Sequence, residues 1–265
     1  MSEHEKGQVA ASAAEIYEQF YIPAIFGEWP PRLLDAAEVA PGHRVLDVAC
    51  GTGVLAREAQ SRVGKTGTVV GLDINEGMLA VARSKAGEIT WKTGNAENLP
   101  YATDSFDRVF CQFGLMFFED RVKAISEMLR VVRPGGRIGV AVWAPLKETP
   151  GYAIVAEILR ELFGEEAAKS MEFPFCLGDI DVLRSLFDKA GAREISLQTL
   201  NGKTRFDSLD SWIYTDIRGW TLADIIDDEG YQRFKRQAPE RLSQFVLADG
   251  AVEFRAPAHI VTVTT

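Results

Sequence analysis

The chain has 265 residues, 46% hydrophobic and 25% charged, enough for one large folded domain that needs no disulfides to hold its core. Its formal net charge of -9 repels phosphate backbones, which argues against generic nucleic-acid binding. Three scattered cysteines, Cys50, Cys111 and Cys176, make no disulfide framework, and three distant histidines, His4, His43 and His259, have no metal-ligand spacing, so no metal is expected.

In chain order, the polar start MSEHEKGQ lacks the apolar core of a leader, and no apolar run approaches the ~20 residues that span a bilayer, so a soluble cytoplasmic protein is expected. An aromatic stretch follows, containing Tyr17, Phe20, Tyr21, Phe26 and Trp29. The compact run 44–49 reads as a strand that ends at glycines. Runs 68–73, 89–93, 106–112 and 137–143 read as four more strands. Helical patterns lie between them over 54–62, 75–85 and 121–132. Strands alternating with helices of this length imply βαβ units and a parallel sheet. Pro134-Gly135-Gly136 reads as the turn from the last of these helices into the fifth strand.

Beyond Pro145 the alternation weakens. Residues 152–163 and 179–190 have helical spacing, the second with Asp179 as cap and Gly191 as stop. A strand is expected at 194–200 and a last one at 258–264. The stretch 207–245 looks helical and aromatic, with Trp212, Tyr214, Trp220, Tyr231, Phe234 and Phe245. We therefore expect a single domain over 1–265. A ligand-binding core would occupy about 40–145, and a helical cap, about 207–250, would be inserted before the last strand. The basic run Arg233, Lys235, Arg236 is best read as a solvated helix face.

The stretch Val45-Leu46-Asp47-Val48-Ala49-Cys50-Gly51-Thr52-Gly53 is the most informative. A buried strand delivers the chain into a tight turn. Small residues at 49, 51 and 53 let backbone pass close under a ligand, and the next helix points its positive end there. Twenty residues on, Asp73 ends the second strand, where a carboxylate accepts from the ribose hydroxyls of a nucleoside cofactor. Glycine turn and acid indicate adenosine binding without choosing the cofactor. Gly51-Thr52-Gly53-Val54-Leu55-Ala56 also fits the dinucleotide pattern G-x-G-x-x-A. Cys50 has no base near it in sequence and reads as a small turn residue.

VLDVACGTG, GLDINEGML, GNAENLPY, FDRVFCQFGLMFF and RVVRPGG, in that order and spacing, resemble the successive motifs of class I S-adenosylmethionine-dependent methyltransferases. The likeness covers about residues 16–145 and is greatest to the ubiquinone and menaquinone methyltransferase type. It implies a Rossmann-like, doubly wound, mostly parallel seven-stranded α/β sheet. It further implies that Asp47, Ala49, Gly51 and Gly53 hold the methionine part of S-adenosyl-L-methionine, with Asp73 on the ribose. Ile74 and Met78 would flank ribose or adenine, Asn95, Ala96 and Glu97 would read the adenine edge, and Gln112 would lie beside the transferring methyl. Ala49 stands where the family commonly has glycine, which is tolerable at negative φ. Asn95, whose amide is a neutral and weaker acceptor, stands where the family often has aspartate. Asp107 is usually structural in the family and stays outside the site.

In that family the N-terminal helices close over the cofactor, so Tyr17 or Tyr21 is a candidate contact, an amphipathic helix on the sheet edge being the equal alternative. Tyr17, Tyr21, Trp29 and Trp212 are the candidate acceptor-site residues. The expected chemistry is in-line methyl transfer to a small, hydrophobic or aromatic molecule, with no marked general base. The alternatives are an NAD(P)-dependent oxidoreductase, which leaves GNAENLPY and RVVRPGG unexplained, and a non-catalytic S-adenosylmethionine-binding protein. Oligomeric state and the methylated atom are not legible in the sequence.

Overall fold

In the computed structural model, residues 11–219 and 221–265 are described. The opening MSEHEKGQ with His4, and Trp220 of the expected cap, lie outside the described residues. The core is one seven-stranded sheet in the order β3-β2-β1-β4-β5-β9-β6. Its strands are β1 (Arg44–Val48), β2 (Thr68–Asp73), β3 (Thr90–Thr93), β4 (Phe106–Gln112), β5 (Val132–Trp143), β6 (Glu194–Leu200) and β9 (Ala258–Thr264). All neighbours run parallel except β9, which is antiparallel to both β5 and β6. The central strands are near-continuous apolar runs because helices bury both faces of a parallel sheet.

The helices on the faces are α2 (Trp29–Ala36), α3 (Val54–Val63), α4 (Glu76–Lys85), α5 (Arg121–Val131) and α8 (Ile180–Lys189), while α1 (Ala11–Ile16), α6 (Pro150–Phe163) and α7 (Glu165–Glu172) pack mainly on other helices. α2 packs with α3 on the sheet, and α5 with α8. The starts of α4, α5 and α8 follow from their caps: Asn75 accepts from Met78 N, Asp120 from Lys123 N, and Asp179 from Asp181 N and Val182 N. Between α1 and α2, Tyr17–Phe26 winds more loosely than an α-helix, and Gly27 N closes it on Ile22 O at 2.7 Å. Pro23 lies within it and has no N–H to give to a tighter ladder.

The last quarter adds a two-stranded ribbon, β7 (Lys203–Phe206) with β8 (Val252–Arg255). Its strands bracket α9 (Leu209–Arg218) and α10 (Asp228–Leu242), capped by Ser208 and Asp227. The sequence pattern missed this ribbon, whose four-residue strands are too short for a period to show. It also missed that α6 belongs to the same layer. Arg241 of α10 pairs with Glu157 and Glu161 of α6, and Arg233 lies 4.8 Å over the Phe163 ring. Lys235 pairs with Asp210 at 3.1 Å, so two members of the basic run hold the cap together.

Pro134-Gly135-Gly136 is not the expected turn. It lies inside β5, at an irregularity where the pairing with β4 jumps from Phe106–Val132 to Arg108–Arg137. The extra residues are absorbed as a bulge, with Gly135 at φ 73°.

Candidate functional site

β1 ends at Val48, and the chain turns through Ala49-Cys50-Gly51-Thr52-Gly53 into α3. The turn is pinned to β2 by Cys50 N on Leu72 O at 3.0 Å, and closed by Gly53 N on Cys50 O at 2.9 Å. Ala49, Gly51 and Gly53 all take positive φ, at 56°, 55° and 86°. The condition under which alanine is easily tolerated here, a negative φ, is not met: the tight turn holds a left-handed alanine. Phe113, across the cleft, is a second left-handed non-glycine at φ 53°. Strain of this kind collects at ligand sites, where the surroundings hold the backbone in place. Gly114 fits between the two, since a Cβ there would come within 2.7 Å of the Ala49 Cβ.

The turn forms one wall of a cavity of 260 Å³ at the carboxyl ends of the strands. Asp47, Ala49, Gly51, Asp73, Ile74, Met78, Asn95, Ala96, Glu97, Gln112 and Tyr17 all line it. Gly53 does not. A Cβ at 53 would meet the Trp91 ring at 2.3 Å, so glycine is needed there for packing and for its φ. Nothing in the sequence motif marks Trp91 as the support of the turn, because β3 reaches it only through the sheet.

Asp47 Oδ2 accepts from Ala56 N at 3.1 Å, capping α3 from the neighbouring strand, while Oδ1 is buried with no partner. Burial raises this carboxyl to about 8, and the Asp73 charge adds to the shift. Asp73 accepts from Gly51 N through Oδ2 and from Asn75 N through Oδ1, both at 2.8 Å. Burial raises it too, against the pull of those N–H groups. Asn95 Oδ1 accepts from Glu97 N at 2.8 Å, and Glu97 Oε1 accepts from Glu119 N and Asp120 N at 2.9 and 3.1 Å. The two walls of the cavity mouth are thus tied by Glu97. Ile74 is 55% exposed at that mouth.

The loosely wound N-terminal helix closes the opposite side. Arg57 of α3 bonds Glu18 Oε1 at 2.9 Å and Thr52 O at 2.6 Å, and the Tyr17 ring lies against Gly51. Glu18 Oε2 and Gln112 Oε1 are buried without partners, like Asp47 Oδ1. Cys50 lines the cavity, and burial raises its thiol well above the ordinary value, which disfavours the thiolate.

A second cavity, of 100 Å³, lies beyond Tyr17, Phe113 and Phe117, which line both. Its other walls include Tyr21, Met116, Trp143, Tyr152, Phe175 and Asp216. Tyr17 and Tyr21 are thus brought to an inner cavity, whereas Trp29 and Trp212 are not. Trp29 is fully buried against Phe113 and Trp143, and Trp212 is buried with Nε1 donating to Asp216 at 2.7 Å. Both tryptophans correct the expectation: α2 and α9 turn these rings inward, where their apolar area is worth most. Sequence reasoning missed Phe113, Phe117, Tyr152 and Asp216, since four separate elements bring them together. Only the i,i+4 spacing of Trp212 and Asp216 was visible.

The donor set identifies the ligand chemistry. Asp47, Asp73, Glu97 and Glu119 line the larger cavity, and no Lys or Arg is among the described lining residues. Unpaired buried acceptors call for a ligand with donors or positive charge. The ammonium and sulfonium of S-adenosylmethionine meet that requirement, whereas the pyrophosphate of a nicotinamide dinucleotide would add negative charge to an acidic cleft.

A seven-stranded sheet with one antiparallel strand, a glycine turn after β1 and an acid ending β2 define a class I S-adenosylmethionine-dependent methyltransferase. More narrowly, the chain belongs to the ubiE/COQ5 methyltransferase family, whose profile matches residues 24–204. It is 34% identical over 202 residues to a ubiquinone/menaquinone biosynthesis C-methyltransferase UbiE of Laribacter hongkongensis, covering 73% of this chain and 81% of that one. It is 33% identical over 188 residues to a demethylmenaquinone methyltransferase of Staphylococcus carnosus, covering 66% and 78%. Its fold is similar to that of a phosphoethanolamine N-methyltransferase 2 of Haemonchus contortus, solved with phosphomonomethylethanolamine and S-adenosylhomocysteine. The TM-score is 0.62 and the identity 19%, with 96% of this chain and 57% of that one covered. The protein is accordingly an S-adenosylmethionine-dependent methyltransferase. No helix among the described residues is long and apolar enough to cross a membrane, and none of their His, Cys, Asp and Glu side chains cluster as metal ligands.

Proposed function

We propose that the protein methylates a ring carbon of a small, reduced quinone-like aromatic molecule. The observation that carries this reading is the inner cavity, walled by aromatic side chains and joined to the acidic cavity through Tyr17, Phe113 and Phe117. A flat apolar ring gains most from such walls. Carbon is chosen because relatives at about a third identity are C-methyltransferases by name. Cavity residues such as Tyr17, Tyr21, Asp216 and Leu222 lie outside the matched segment 24–204, so the acceptor need not be theirs.

In this reading Asp47 Oδ1 and Gln112 Oε1 accept from the ammonium of the methionine end, with Gly51 passing close beneath it. Asp73 uses its remaining lone pairs on the ribose hydroxyls. Ile74 and Met78 flank the adenine, and Asn95, Ala96 and Glu97 meet its edge. The bound cofactor supplies a methyl group on a sulfonium, already a good leaving group. What the chain adds is orientation: Phe113 and Phe117 hold the acceptor ring in line, at a near-attack distance of ~3–3.5 Å, and Tyr17 helps exclude water.

Calorimetric titration with S-adenosylhomocysteine, and with NAD as control, tests the cofactor assignment; Asp73→Ala should weaken the first by about tenfold or more. Incubation with methyl-labelled S-adenosylmethionine and 1,4-naphthalenediol tests the acceptor. Label in a ring carbon supports the proposal. Label only on oxygen, or none in any hydroxyarene tried, refutes it.

A further inference from the structure

The inner cavity is lined mostly by apolar side chains. Polar groups enter its lining from three parts of the chain: Asp216 of α9, Tyr21 of the loosely wound helix, and Tyr152 of α6 with Thr149 just before it, Tyr21 and Tyr152 facing Asp216. Asp216 is only 3% exposed. Its Oδ2 receives the Trp212 indole N–H at 2.7 Å, which fixes the carboxylate's direction. Tyr21 donates to Thr215 O at 3.0 Å. The Tyr152 hydroxyl lies toward Asp216 without closing a hydrogen bond, and both it and Thr149 Oγ1 are buried with no partner. Buried polar groups left open in a mostly apolar pocket call for a ligand's polar end.

We propose that Asp216 takes the proton of the acceptor's ring hydroxyl, with Tyr152 and Thr149 binding the oxygen. This rests on the acceptor class given under Proposed function and adds the general base for which the sequence offered no candidate. The acceptor O–H bond breaks and its proton passes to the Asp216 carboxylate. The released electron pair raises the nucleophilicity of the ortho ring carbon, which bonds to the methyl carbon. The C–S bond breaks as that bond forms, and its pair stays on sulfur. The ring carbon then loses its proton to solvent, and the oxygen recovers the proton held by Asp216. The carboxylate is restored and one proton is released per methyl transferred.

Burial raises the Asp216 carboxyl to about 8, opposed by the facing Trp212, Tyr21 and Tyr152 groups. The base-competent form therefore increases as pH rises through that value, so acceptor binding should strengthen with it. Trp212, expected from sequence to touch the substrate, becomes a positioning residue acting through Asp216.

The test uses the full chain saturated with S-adenosylhomocysteine, titrated with 1-naphthol and with 1-methoxynaphthalene, its methyl ether. The wild type should prefer the naphthol by about tenfold or more, as for a hydrogen bond to a charged group. That preference should grow between about pH 6.5 and pH 8.5. Asp216→Asn should cut it to about threefold or less and flatten the pH profile, with S-adenosylhomocysteine binding unchanged. Tyr152→Phe removes a hydroxyl whose one polar neighbour is the Asp216 carboxylate, so it should fold normally and lose part of the preference. The proposal is overturned if the wild type binds both probes alike or neither, or if Asp216→Asn keeps the preference and its pH dependence. Failure of the wild type to bind S-adenosylhomocysteine would instead overturn the cofactor assignment.

Discussion

Replacing Gly53 with alanine separates a residue that touches the cofactor from one that only supports the turn. At φ 86° a Cβ is strained, costing about 1–2 kcal/mol. The new Cβ would also stand 2.3 Å from the Trp91 ring. That ring has little room to yield, because β2 backbone at Gly71 lies hard against it and its Nε1 is held by Ala86 O at 2.8 Å. Displacing it adds an overpacking cost of about 1–3 kcal/mol, including the strained hydrogen bond. The sum is about 2–5 kcal/mol, and at roughly 2–4 °C per kcal/mol for a chain of this size the Tm should fall by about 10 °C. Gly53 does not line the cavity, so the folded variant should bind S-adenosylhomocysteine within about threefold of wild type at low temperature. Adding Trp91→Leu should recover part of the lost stability, a coupling that a double-mutant cycle measures. Scanning calorimetry and titration on the four proteins check both halves. An unchanged Tm with a large loss of affinity would refute the reasoning and return Gly53 to the cofactor contacts.

The Asp47 carboxyl, raised to about 8 in the fold, binds its proton more tightly than in the unfolded chain. Its contribution to the ligand-free protein therefore falls as pH rises from about 4 to about 8. Asp47→Asn removes that slope while keeping an oxygen for Ala56 N. Melting curves across this range should show the variant gaining on wild type with pH, by up to a few kcal/mol. An unchanged difference would refute the shift. Trp29→Ala should cost about 3–5 kcal/mol by urea unfolding yet leave S-adenosylhomocysteine affinity nearly unchanged, since the ring is core. Glu127 holds Leu99 N at 2.8 Å and the Arg130 guanidinium, anchoring the loop that carries Asn95–Glu97. Glu127→Gln should lower stability by about 1–2 kcal/mol and weaken S-adenosylhomocysteine severalfold, read by melting and titration.

Several elements were legible because their signal is local. β2, β4, β6 and β9 begin and end where the runs 68–73, 106–112, 194–200 and 258–264 placed them. A buried strand shows as an apolar run, and a capped helix shows through Asn75, Asp120 or Asp179. The turn from Asp47 to Gly53 and the acid at 73 were readable for the same reason: each motif lies within one βα unit. The placement of Asn95–Glu97 and Gln112 came through the family resemblance. The β7–β8 ribbon was lost because its strands are short and about fifty residues apart. Pro134-Gly135-Gly136 was misread because a bulge and a turn use the same residues.

The sequence by itself determined the alternating strand and helix units of a parallel α/β sheet, the glycine turn and the acid at 73, because strand, turn and cap are short-range consequences of side-chain pattern; the methyltransferase reading came through the family resemblance. Only the tertiary structure decided that Ala49 must be left-handed and that Gly53 rests on Trp91. Only it decided that Trp29 and Trp212 are core while Asp216, Tyr152 and Thr149 line one aromatic cavity. Those outcomes depend on contacts between residues far apart in the chain, and no periodicity or motif spacing encodes which distant faces close packing will bring together.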